Sequence, residues 1–190
     1  APNWKWVIRG NTIVGAGTGM YFGNSDCENA FVAGTIENNL VRDTIGYNLQ
    51  IKHQNPRPAI AGMPTGKSVT VIRHNVFTKG ANSSTGGMAR PNVLVGHFPK
   101  SGPGVDDHYE IYGNFFWQNP TEALFQGEGN IAMYSNVMAT DSGAAINIQP
   151  HHDVPKAIDI FGNTIIAKGS GIRVTGGASG HEQRVRGNAV

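Results

Sequence analysis

The apolar positions of this chain fall into one short phrase that recurs seven times: aliphatic, any residue, turn-former, Asn, any residue, apolar. The copies centre on Asn11, Asn39, Asn75, Asn114, Asn136, Asn163 and Asn188, at successive spacings of 28, 36, 39, 22, 27 and 25 residues. Three residues before each Asn stands Ile8, Ile36, Ile72, Ile111, Met133, Ile160 or Val185, and two residues after it stands Ile13, Val41, Phe77, Phe116, Met138, Ile165 or Val190. The residue just before the Asn is Gly, Asn, His or Ser, each suited to a tight turn. Inward and outward positions alternate up to the bend, which predicts a strand with one buried face followed by a turn. Spacings of this size predict a repeat protein whose units bury their apolar faces against one another.

A second strand is predicted in each turn. The segments are Met20–Phe22, Leu49–Ile51, Val93–Val95, Ala123–Phe125, Ile146–Ile148 and Ile172–Val174, with the outer residues of each triplet inward and the middle one outward. No long segment keeps a 3.6-residue period without interruption by Gly or Pro, so no helix is expected. Leucine-rich repeats share the Asn and the period, but this chain holds only four leucines. A propeller needs four strands per repeat, more than a 22-residue spacing supplies.

Stacked parallel strands remain. From Trp6 to Val190 the repeated phrase resembles the right-handed parallel β-helix of the pectate-lyase-like superfamily. The resemblance implies an all-β, right-handed parallel β-helix (solenoid) of about six to seven turns with an Asn ladder at one bend. Strands about 4.8 Å apart then predict a stack of roughly 30 Å. The fold implies little about activity, since it hosts lyases, hydrolases, epimerases, adhesins and non-catalytic surface proteins. Residues 1–190 are expected to form a single domain belonging to a longer chain, because Trp6 and Val190 leave the end rungs uncapped. Further turns or an oligomer partner are expected to cover those ends, with Trp4 and Trp6 lying over the first rung.

Charge changes this picture more than composition does. The net charge is only +2, yet the 62 residues between Asp43 and Asp106 contain no Asp or Glu and carry seven Lys or Arg and three His. So one-sided a stretch points to an anionic partner. The basic residues lack a recognised nucleic-acid module, so nucleic acid is not the expected partner, and no apolar run is long enough for a membrane span. The lone Cys27 permits no internal disulfide, and a secreted or periplasmic location is the expectation.

Long insertions, where function on a rigid scaffold usually concentrates, run through this region: Gln54–Lys67, Lys79–Pro91 and Phe98–Asp107, the last ending at the two aspartates that close it. Aligning the ends of the second strands places Lys52, His53, His97, Gln126, Glu128, Gln149 and His151 on one polar stripe. Elimination beside a uronate carboxylate needs a base and a cation to neutralise that carboxylate. Lys52, His53, His97 and Arg57 are the candidate catalytic residues, and Arg90, Gln126, Gln149 and His151 the candidate substrate-binding residues. Asp106, Asp107 and Glu128 are candidate ligands for Ca²⁺, which takes oxygen donors. Gln149–Asp153 also resembles the Asp-Pro-His-Asp signature of mannuronan C5-epimerases, departing by Gln for the first Asp and by one extra His.

The expected function is therefore action on, or binding of, an acidic uronate-containing polysaccharide, with a lyase or epimerase ahead of a bare binding module. A non-catalytic glycan-binding or structural surface protein is the first alternative, with Tyr21, Tyr112, Tyr134 and Trp117 as sugar-stacking aromatics. A metal site built from His53, His97, His151 and His152 is the second.

Overall fold

In the computed structural model, which describes residues 1–81 and 83–190, the chain is a parallel β-helix. Asn82, within the Lys79–Pro91 insertion, lies outside the described residues. Three parallel sheets run along the axis. The first has seven strands: Val7–Arg9, Thr35–Glu37, Val69–Arg73, His108–Tyr112, Ile131–Tyr134, Ile158–Phe161 and Gln183–Arg186. The second has six: Thr12–Val14, Leu40–Arg42, Val76–Thr78, Phe115–Trp117, Val137–Thr140 and Thr164–Ala167. The third has six: Met20–Phe22, Leu49–Ile51, Val93–Val95, Phe125–Gly127, Ile146–Ile148 and Ile172–Val174. A short pair, Asn3–Trp4 with Phe31–Val32, lies at the first rung. Among the described residues no helix is long and apolar enough to cross a membrane.

Each turn thus holds three strands, not the two expected. The reason is the bend inside the repeated phrase. The residue before the Asn has a left-handed backbone in every copy: Gly10 (φ 70°), Asn38 (54°), His74 (55°), Gly113 (64°), Ser135 (53°), Gly162 (62°) and Gly187 (57°). Only Gly, and to a lesser degree short polar residues, accept this region readily. The bend therefore divides what reads as one strand and its turn between two sheets. The strand after the Asn buries a single apolar residue in most turns, such as Phe77 or Phe116, too little for a second strand to stand out in the sequence.

The Asn ladder forms as expected and is continuous. Each Nδ2 donates to the Oδ1 of the next Asn, from Asn11 to Asn39 (2.9 Å), Asn75 (2.9 Å), Asn114 (3.0 Å), Asn136 (3.0 Å), Asn163 (2.9 Å) and Asn188 (2.9 Å). The same Oδ1 also accepts the backbone N–H of the preceding Asn. From Asn39 onward, Nδ2 reaches back to the carbonyl of the aliphatic residue one rung earlier, as Asn114 does to Ile72. Every polar atom of these buried amides is therefore used, which is what makes so much buried Asn tolerable.

Inside the ladder the aliphatic positions stack in register: Ile8, Ile36, Ile72, Ile111, Met133, Ile160 and Val185 pair successively across the first sheet. Facing rows add Phe77 against Phe116 from the second sheet and Leu49, Val93, Phe125 and Ile146 from the third. One expected register is wrong. The fourth strand of the third sheet is Phe125–Gly127, with Phe125 opposite Val93 and Gly127 opposite Val95. The inward slot at 127 has no room for a side chain, because a Cβ there would lie 2.7 Å from Ile131 Cδ1 and 3.0 Å from Val95 Cγ2. Ala123 and Leu124 are buried just before the strand, and so imitate strand residues in the sequence.

A second polar brace supports the Lys79–Pro91 insertion. The carbonyl of Arg90 accepts from Lys79 Nζ (2.8 Å), Ser84 Oγ (2.6 Å) and Asn119 Nδ2 (2.8 Å). Lys79 is wholly buried, and that burial pulls its ammonium down to about 7, with Arg90 adding to the effect and Glu122 opposing it. Between about pH 7 and its ordinary value of 10.5 the unfolded chain holds the proton that the folded chain has lost, so stability rises with pH across that window. Wild type is expected to gain about 2 kcal/mol over Lys79→Met between pH 7 and pH 9. Urea titrations of both proteins at the two pH values measure this, and parallel curves would contradict it.

Candidate functional site

The outer face of the third sheet carries two adjacent rows. The middle residues of the triplets make the first: Tyr21, Gln50, Leu94, Gln126, Asn147 and Arg173. The residue following each triplet makes the second: Gly23, Lys52, Gly96, Glu128, Gln149 and Thr175. Backbone hydrogen bonds carry the ladder one residue past the triplets, as from Lys52 N–H to Phe22 O and from Gln149 N–H to Gly127 O. The shift of this strand to Phe125–Gly127 therefore moves Gln126 into the first row, and Glu128 takes the place in the second that was expected for Gln126.

A shallow groove runs over both rows. Lys52, His53, Gln126, Glu128, Gln149 and His151 all line it, with Tyr47, Gln50 and Leu94 beside them. Six residues singled out from three separate stretches of sequence thus share one surface. Arg90 lies at the far end of this face, its guanidinium 5.9 Å from the centre of the Tyr47 ring.

At the other end the groove meets a cleft of about 390 Å³ lined by Cys27, His53, Gln54, His97, Lys100 and His152, among others. Gly96 permits this arrangement, since a Cβ there would fall onto the backbone nitrogen of His53. The close approach brings the rings of His53 and His97 to 5.3 Å, while His152 lies 4.0 Å from His53 and His151 lies 4.3 Å from His152. His97 is buried, and its Nδ1 is 2.6 Å from the carbonyl of Phe98. A carbonyl only accepts, so Nδ1 carries the proton and Nε2 keeps its lone pair when the ring is neutral. Burial pushes His53 down to about 4, helped by the charges of His152, Lys52, His97 and His151. His152 is also lowered, by burial first and then by His151, with Glu128 opposing.

Other expected residues are held elsewhere. Arg57 is buried away from the stripe. Its guanidinium meets Asp107 at 3.0 Å and also donates to Ser68 Oγ and the carbonyl of Gly66. The pair ties the Gln54–Lys67 insertion to the Phe98–Asp107 insertion. Burial raises the Asp107 carboxyl, against the opposing pull of the Ser68 N–H and Arg57. The Ca²⁺ set does not assemble: Asp107 is committed to Arg57, Asp106 is exposed beside a different hollow, and Glu128 faces the backbone. Among the described residues no three His, Cys, Asp or Glu side chains converge as a metal-holding group, the four clustered histidines included.

The role of Glu128 was not legible in the sequence. Its Oε2 accepts the backbone N–H groups of His151, His152 and Asp153, each at 3.0 Å. This one oxygen fastens the turn that carries the two histidines. The expected sugar-stacking aromatics mostly lie on faces other than the groove. Tyr112 and Tyr134 stack on each other at 4.9 Å and 7°, and Tyr134 stacks on Phe161 at 4.9 Å and 8°. This ladder lies on the first sheet, closed by Arg186 over the Phe161 ring and by Arg73 bonded to the Tyr112 hydroxyl. Trp117 sits beside Phe115 on the second sheet, leaving Tyr21 as the one member of the four on the grooved face.

A parallel β-helix with a polar, amide-lined groove is the class of protein these features define. No protein-family profile matches the chain, and comparisons with curated proteins and with solved structures likewise returned no match.

Proposed function

We propose that the groove on the third sheet binds an acidic, uronate-containing polysaccharide and cleaves it by β-elimination. The observation that carries this reading is the convergence of Lys52, His53, Gln126, Gln149 and His151 on one face whose one lining carboxylate among the described residues, Glu128, has its Oε2 held by three backbone N–H groups. Such a face offers donors and positive charge to carboxylates along a glycan, and amides to its hydroxyls. The resemblance to the pectate-lyase-like superfamily supports the same substrate class.

In the reaction a base removes the proton on the carbon beside the uronate carboxylate. Its electron pair forms a carbon–carbon double bond, and the bond to the glycosidic oxygen breaks. The departing oxygen is protonated, so no outside oxidant or reductant enters. His53, neutral at pH 7, is the group placed to take the proton, with the Lys52 ammonium beside it to balance the carboxylate.

Incubation with pectate, alginate and glycosaminoglycans tests the proposal through the ultraviolet absorbance of the unsaturated product. Lys52→Ala is expected to lower the rate at least about 100-fold on the responsive substrate. Binding without product from any uronate would replace the lyase by a glycan-binding module, and absence of binding to all three would remove the polysaccharide reading.

A further inference from the structure

The cleft beside the groove differs from it chemically. Its ionisable lining consists of His53, His97, His152, Lys100 and Cys27, with no carboxylate among them. Of the carboxylates near it, Glu128 is engaged by the N–H groups of residues 151–153 and Asp153 by Lys156 at 3.3 Å, while Asp26 and Glu28 flank Cys27 on the exposed rim. Lys100 is fixed at its rim by donating to the carbonyl of His152 at 2.9 Å. His53 shares the cleft and the groove, and is faced by Lys52, His97, His151 and His152.

Imidazoles packed at 4.0 to 5.3 Å repel one another once protonated. A bound anion between them would remove that repulsion. Resting on the reading that the groove holds an anionic chain, we infer that the cleft captures one carboxylate or sulfate group of that chain and takes up a proton as it does so. Protonation and anion binding are then reciprocal, so each strengthens the other by the same factor. The neutral resting state of His53 agrees with this, because an empty cluster has nothing to stabilise its cation. Glu128 is a positioning residue in this scheme. Its three hydrogen bonds set the turn that places His152 against His53.

Two measurements test the inference. In the first, oligogalacturonate binding is followed by calorimetry from pH 7 to pH 5 at constant ionic strength. Wild type is expected to tighten about tenfold or more, His181→Gln to tighten equally, and His53→Gln to lose most of the gradient. Binding that changes less than about threefold, or a gradient that survives in His53→Gln, overturns the proton-linked cleft while leaving the polysaccharide groove standing. In the second, histidine ring signals are titrated by NMR in sodium sulfate and in sodium chloride of matched ionic strength. Sulfate is expected to move the His53 and His152 midpoints upward and leave His181 in place. Should oligogalacturonate fail to bind at any pH, this second result decides alone, and unmoved midpoints for His53 and His152 overturn the inference.

Discussion

Asn114→Ala lowers the unfolding free energy by about 3 to 5 kcal/mol, measured by chemical denaturation. Asn114 sits in the middle of the ladder and is almost wholly buried. Its Oδ1 accepts both the N–H and the Nδ2 of Asn75, and its own Nδ2 reaches Asn136 Oδ1 and the carbonyl of Ile72. Alanine strands two buried N–H donors of Asn75 on one side and takes a donor from Asn136 Oδ1, which keeps the residue 114 N–H, and from the Ile72 carbonyl on the other, at about 1 to 3 kcal/mol for each group that stays unsatisfied. Water can recover part of this at a bend, which holds the expected total below the simple sum. Asn11, exposed at the first rung and used on one side of the ladder, is the internal comparison: Asn11→Ala should cost much less. Equal losses at the two positions would mean that the ladder does not carry the stability assigned to it.

Arg57→Met is expected to cost about 3 to 5 kcal/mol, because it leaves Asp107 buried without its cation. The pair is closed to solvent on both sides, with side-chain exposures of 1% and 3%, so screening by water does not soften the loss. The double replacement Arg57→Met with Asp107→Leu should recover most of the stability, since exchanging a buried ion pair for apolar groups is often close to neutral. Recovery would identify the pair as a clasp between two insertions. A double variant no more stable than Arg57→Met would contradict that, and would point to Ser68 and Gly66 as the partners that matter. Turnover of the responsive glycan by the double variant, measured where it is folded, distinguishes this clasp from the catalytic arginine expected at this position.

Much of the scaffold could be read in advance because its information is local and repeated. Each rung needs a left-handed residue, then Asn, with an aliphatic residue three positions earlier, and these demands recur at the same height in every turn. Five of the six triplets of the third sheet were located for the same reason. The slip at Phe125–Gly127 came where the inward slot is filled by neighbours from Ile131 and Val95, so that the residue itself leaves no apolar mark. The groove was partly legible, since a correct ruler brings Lys52, His53, Gln149 and His151 to one face without knowledge of any contact.

The charged residues were harder. Arg57 and Asp107 are 50 positions apart in two irregular insertions, and no periodicity links them. Glu128 looked like a metal ligand because nothing in its neighbourhood announces that three N–H groups from the next rung will close on it. Tyr112 and Tyr134 looked like open platforms, although identical positions on adjacent rungs stack ring on ring. Residue order was enough to specify the stack of parallel strands and the Asn ladder, because each repeat can meet only its own copies. Which cations face the groove and which are spent inside the insertions followed from the folded chain alone, because ion pairs and capping hydrogen bonds are settled by distance in space.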